Sequence, residues 1–132
     1  MISTRALGTG LVTAAALVAP LAPAVAAHAQ GGSGAVTHSG SCSGSATWKL
    51  SAKHDDTGKI EVEWQVDSNK PGQTWTVRLR DNGQLFFSGS RTTVAPSGSF
   101  TVHRLTADRA GGDVIRARSV HGAQVCRGSV TV

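Results

Sequence analysis

From residue 42 onward the chain alternates. Cys42, Gly44, Ala46, Trp48, Leu50 and Ala52 interleave with Ser43, Ser45, Thr47, Lys49, Ser51 and Lys53. A period of two over that length predicts a strand with one face toward a core. Asp55-Asp56-Thr57-Gly58 turns the chain. A second strand then repeats the code, with Ile60, Val62, Trp64 and Val66 inward and Glu61, Glu63, Gln65 and Asp67 outward. Ser68 to Gly72 supplies the next turn, where Pro71 and Gly72 fix the backbone. The third strand points Trp75, Val77 and Leu79 inward and Thr74, Thr76, Arg78 and Arg80 outward. Asp81-Asn82-Gly83 is a tight-hairpin signal leading into Leu85-Phe86-Phe87 and a Gly/Ser-rich tail at 88–90. After Pro96-Ser97-Gly98, Phe100 and Val102 alternate with Thr101 and His103. Beyond Ala110-Gly111-Gly112, Ile115 and Ala117 share one phase and Arg116 and Arg118 the other. The last strand carries Cys126, Gly128, Val130 and Val132 in one phase.

Seven short strands at regular spacing, with no helical periodicity, predict an all-β domain: an immunoglobulin-like antiparallel β-sandwich. Cys42 and Cys126 both fall on the inward phase, in the first and last predicted strands. A disulfide joining those strands follows, unlike the internal bridge of antibody domains.

The alternation starts only after a different kind of segment. Arg5 is the sole Lys, Arg, Asp or Glu in the first 48 residues and precedes the apolar run Leu11 to Ala19. Pro20 and Pro23 interrupt that run, and A-x-A spacing follows at Ala24-Val25-Ala26 and Ala27-His28-Ala29. Basic end, apolar middle and small-residue cleavage site make residues 1–29 a signal peptide, cut after Ala29 in preference to Ala26. The broken apolar run falls short of the roughly 20 residues that cross a bilayer, so no transmembrane anchor is expected. Cys42 lacks the lipid-attachment box that would precede an acylated cysteine. Residues 30–41, QGGSGAVTHSGS, read as a flexible Gly/Ser-rich linker, and 42–132 as the domain. The expected location is secreted and extracellular.

That compartment changes the reading of the cysteines. Two cysteines in an exported chain pair, and a bridge closing about 85 residues is worth roughly 4.5 kcal/mol at the upper end of the loop-entropy model. Without Arg5, 12 Lys plus Arg stand against 8 Asp plus Glu, a net charge of +4. A basic exported domain favours anionic surfaces, although that charge is also ordinary for a soluble domain.

Catalytic chemistry finds no foothold. There is no G-x-S-x-G elbow and no H-E-x-x-H helix. The acids sit at turns, at strand ends or on an outer face. Glu61 and Glu63 would face Arg80 and Arg78 if the second and third strands form a hairpin, but an immunoglobulin-type sandwich separates those strands. His54-Asp55-Asp56 is the one local cluster of ligand types, and it reads as a solvated turn rather than a metal site. No metal, cofactor or catalytic residue is assigned.

The arginines carry the binding hypothesis. Arg78, Arg80, Arg116 and Arg118 point outward, and they form one basic face if the third and sixth strands are neighbours. Phe86, out of phase with Leu85 and Phe87, would add an exposed aromatic. Such a face suits an anionic cell-wall polymer or an acidic protein; the competing reading is a solvated strand face. Nucleic acid is not expected, because Trp48, Trp64 and Trp75 share the inward phase while single-strand binding uses stacking platforms. A monomer is expected.

CSGSATWKL, GKIEVEWQVDSNKPGQTW, APSGSF and LTADRAGGD span most of the domain. In these stretches the chain resembles small exported actinobacterial proteins of unassigned function. The resemblance lies in strands and turns, so it implies a secreted sandwich and says nothing of a ligand. The disulfide-held sandwich is also similar in architecture to actinomycete carriers of enediyne chromophores, which have two bridges and sequence signatures missing here. Two roles follow: a non-catalytic binder of something anionic, or an inhibitor of an extracellular enzyme presenting a rigid loop such as Ser68–Gln73 or Val94–Gly98. Mass spectrometry of the exported protein is expected to find a chain starting at Gln30; a chain starting at Met1 would contradict the leader.

Overall fold

The computed structural model describes residues 34–132; the leader and the first residues of the expected linker lie outside the described residues. Eight strands make up the described chain: β1 (Val36–Ser41), β2 (Thr47–His54), β3 (Lys59–Asp67), β4 (Thr74–Asp81), β5 (Gln84–Thr92), β6 (Ser99–Ala107), β7 (Val114–His121) and β8 (Gln124–Thr131). They form two antiparallel four-stranded sheets, ordered β1-β2-β3-β6 and β5-β4-β7-β8.

The two sheets face each other across one core, and the alternation explains it. β3 buries Ile60, Val62, Trp64 and Val66; β4 buries Trp75, Val77 and Leu79; β7 buries Ile115 and Ala117. Fully burying each large side chain contributes about 1.5–3 kcal/mol, which makes register the dominant constraint: a one-residue slip would turn the whole set outward. Trp64 Nε1 donates to Ser119 Oγ at 2.7 Å, so its one polar atom is satisfied across the core. Trp75 meets Phe100 of the opposite sheet at 6.5 Å between centroids.

The N-terminal side differs from the sequence expectation. There are eight strands, not seven, because residues 36–41 of the expected linker form β1. Composition hid this strand. It pairs with β2, from Val36 opposite Ala52 to Ser41 opposite Thr47, and His38 Nδ1 lies 2.8 Å from the Ser129 carbonyl of β8. The expected strand from Cys42 to Lys53 is correspondingly shorter. Residues 42–46 turn between β1 and β2, with the Cys42 N–H donating to the Ala46 carbonyl at 2.8 Å. The small alternating residues of that turn had mimicked a strand phase. β5 also runs on to Thr92, through the expected Gly/Ser tail.

Cys42 and Cys126 are bonded, 84 residues apart in sequence. The bridge therefore ties the β1–β2 turn, rather than a first strand, to the last strand. Beside it the Ser43 N–H donates to the Val125 carbonyl, and the Val125 N–H donates to Ser43 Oγ at 2.9 Å. This closes the sandwich along the edges of β1 and β8. The opposite edges, β5 and β6, meet around Phe87, whose ring has the Arg104 guanidinium 4.3 Å and the Arg91 guanidinium 5.1 Å from its centroid. Such cation–π contacts hold about 0.5–1 kcal/mol each where exposed.

Removing the bridge by Cys42→Ser/Cys126→Ser is expected to lower unfolding free energy by roughly 2–5 kcal/mol, read as a lower urea midpoint. An unchanged midpoint would show that backbone hydrogen bonds alone close the β1–β8 edge.

Candidate functional site

Strand pairing decides which arginines become neighbours. β4 and β7 are adjacent and antiparallel, with Arg78 opposite Arg118 and Arg80 opposite Arg116. The expected basic face therefore exists on the outer side of the second sheet. β8 extends it, because Arg127 lies opposite Arg118. Each of these side chains alternates with a buried residue, so the same period that fills the core pushes the arginines out.

The face carries one sign. Placing like charges directly opposite each other destabilises a sheet, and here it happens in three cross-strand pairs with no acid to offset it. The four close contacts between a basic side chain and an acid among the described residues lie elsewhere. Lys53–Glu61 at 3.6 Å, His54–Asp108 at 3.1 Å and His103–Glu63 at 3.3 Å belong to the first sheet and its connections, and Arg109–Asp81 at 3.7 Å to one end of the sandwich. β3 and β4 sit in different sheets, so Glu61 and Glu63 never reach Arg80 and Arg78. The outer faces thus sort their charge: mixed on the first sheet, basic on the second, whose one acid, Asp81 of β4, is buried.

Between the five arginines lies an open depression of about 490 Å³. Its remaining wall is apolar or small: Trp48, Ala117, Gly128 and Ser129. Trp48 reaches it from the other sheet. Gly40 of β1 and Gly128 of β8 leave room for the indole. A Cβ on Gly128 would lie 2.7 Å from Trp48 Cζ3, and one on Gly40 2.9 Å from Trp48 Cζ2. The ring stacks on Trp64 at 5.5 Å between centroids. Trp48 keeps the inward phase but is only partly buried. Periodicity gave its phase; the seam that leaves it accessible depends on β1, which composition concealed.

Phe86 does not join the arginines. It is partly buried and packs against the core, displaced by the irregularity that sets Leu79 opposite Phe87 but Arg80 opposite Leu85. Leu85, 46% exposed, is the apolar neighbour of Arg80. The His54-Asp55-Asp56 segment is a braced turn. Asp55 Oδ1 accepts from the Lys59 and Thr57 N–H groups at 2.9 and 2.8 Å, and these bonds, with the Thr57 hydroxyl, hold its carboxyl below the usual carboxylate range. Among the described residues no group of three or more metal-ligating side chains assembles.

A second acidic feature escaped the sequence. Asp81 and Asp113, both read as turn residues, are fully buried at one end of the sandwich. Thr106 Oγ1 donates to Asp81 Oδ2 at 3.0 Å, and the Arg109 N–H donates to Asp113 Oδ2 at 3.1 Å. The Oδ1 atom of each carboxyl is buried without a hydrogen-bond partner. Burial, reinforced by the hydrogen bond to Asp113, pushes the Asp81 carboxyl up from its ordinary value of 3.8. Sealed from solvent, the pair is out of reach of a substrate.

The sign of its effect on stability follows from linkage. Folded Asp81 holds its proton more tightly than unfolded Asp81, so its contribution is fully present below about pH 3.8 and declines as pH rises through the raised folded value. Asp81→Asn keeps the shape and supplies a permanent donor to Asp113. The variant is expected to lose that decline, so that its stability relative to the parent increases between pH 4 and 7 in urea titrations. Parallel pH profiles for the two proteins would show that the Asp81 carboxyl is not raised. No protein-family model, curated protein or solved structure matches this chain.

Proposed function

We propose that the protein is a secreted, non-catalytic domain whose β4–β7–β8 face binds an anionic polymer of the extracellular surroundings. The observation that carries this reading is the array of five arginines, set opposite one another with no acid among them. A face serving solubility alone is stabilised by interspersed signs, as on the first sheet. Arginine is also the residue whose planar fork matches carboxylate, sulfate and phosphate groups. The leader and the disulfide support an extracellular site of action. The strand order supports an immunoglobulin-like reading of the sandwich, and the actinobacterial resemblance remains a proposal of kinship.

A second reading, inhibition of an extracellular enzyme, is favoured by one observation. The two loops that the sequence suggested are braced against each other. The Ser68 N–H donates to the Gly98 carbonyl, the Gly72 N–H to the Thr93 carbonyl, and the Thr93 N–H to the Gln73 carbonyl. Thr93 Oγ1 donates to the Lys70 carbonyl at 2.6 Å. Gly98, at φ 76°, packs so closely on Lys70 that no side chain fits. Val94 projects from this platform 61% exposed, pre-ordered as an inhibitory loop requires.

Pull-down with washed anionic cell walls separates the two. Retention is expected at low salt and lost at high salt, and Arg116→Gln and Arg118→Gln are each expected to weaken it about tenfold. Lys49→Gln, on the other sheet, leaves it unchanged. Retention that survives both salt and arginine neutralisation, but falls with Val94→Asp, would instead support the loop platform.

A further inference from the structure

The depression holds more than charge. Phosphate or carboxylate groups need only the arginines, yet the lining also includes the partly buried Trp48, with Gly128 and Ala117 beside it. A fully solvated basic face has no use for this surface. Its volume, about 490 Å³, falls within the range of small-molecule sites, about 300–1,000 Å³, and far exceeds what one anion fills.

Resting on the anionic-polymer reading, we infer that the polymer is an acidic polysaccharide, bound with a sugar ring against Trp48 and its acidic groups on the surrounding arginines. A pyranose offers what the site is shaped for. One side of the ring is a patch of C–H groups, suited to an aromatic surface. A carboxylate or sulfate at the ring edge accepts paired N–H bonds from a guanidinium. Repetition along the chain lets successive acidic groups engage Arg78, Arg80, Arg116, Arg118 and Arg127 from different sides. Polyphosphate and acidic peptides satisfy the arginines but leave Trp48 uncovered. Single-stranded nucleic acid also has rings and charges, but its binding relies on several successive aromatic platforms, and this depression has one.

The geometry also supplies a reporter. Trp64 and Trp75 are fully buried, whereas Trp48 is not, so acrylamide-accessible tryptophan fluorescence reports Trp48. The test titrates the oxidised, exported protein with four probes at matched charge concentration: a polyuronate such as alginate, polyglutamate, polyphosphate and an oligothymidylate. The polyuronate is expected to bind about tenfold tighter than polyglutamate and to shield tryptophan from acrylamide, while polyglutamate and polyphosphate bind weakly without shielding. Trp48→Leu is expected to bring the polyuronate down to the polyglutamate level. Should that variant fail to fold, the shielding measurement on the parent protein stands alone.

Equal affinity for all four, with no shielding, would overturn the polysaccharide inference and leave the basic-face reading standing. Tightest binding and shielding by the oligothymidylate would overturn it in favour of nucleic acid. No binding of any probe would overturn both readings.

Discussion

The closure of the β1–β8 edge governs the rest of this molecule. Two sheets with eight strands have two pairs of edges to manage. At β5–β6 the solution is a phenylalanine with two arginines over it. At β1–β8 it is a covalent bond, Cys42–Cys126, flanked by backbone bonds at Ser43 and Val125 and by a large ring inserted between two glycines. Trp48 fits there because Gly40 and Gly128 lack side chains. The same insertion that seals the core edge leaves indole atoms at the margin of the arginine face. Structure and candidate site share one residue, and neither exists without the seam.

The arginine face illustrates how a sheet converts sequence periodicity into a continuous charged surface. A strand needs polar residues on alternate positions, and almost any would do. β4, β7 and β8 use arginine at positions that pairing then sets side by side. This arrangement disfavours the folded state through repulsion, which the buried faces of the same strands and the disulfide offset. The two halves of the sandwich differ accordingly. The first sheet sets cation beside acid, as in Lys53–Glu61, while the outer face of the second sets arginine beside arginine.

Much of this was legible in the chain, for identifiable reasons. β3, β4 and β7 alternate large apolar with charged residues, so their phase was unambiguous, and the outward arginines followed. The disulfide followed from two cysteines in a chain expected to be exported. What failed depended on tertiary context. β1 is a strand because β2 pairs with its backbone, with His38 reaching the Ser129 carbonyl of β8; VTHSGS has no apolar period of its own. Residues 42–46 alternate in name, but Gly44 and Ala46 are too small to mark a buried face. Phe86 was misplaced because a register irregularity near Leu79 and Arg80 is invisible in composition. Asp81 and Asp113 looked like turn residues, and in position they are. Their burial arises where the ends of β4, β7 and β8 fold under the segment that carries Arg109.

The central claim is that binding takes place on the face where three strands set arginine against arginine. Chemical-shift mapping tests it most directly: the backbone amides of the oxidised protein are followed while a polyanion is added at low salt. The account predicts perturbations concentrated at Arg78, Arg80, Arg116, Arg118 and Arg127, with the Trp48 indole N–H moving alongside them. Perturbations confined to Ser68–Gln73 and Val94–Gly98, or to the outer side of β2 and β3, would contradict it.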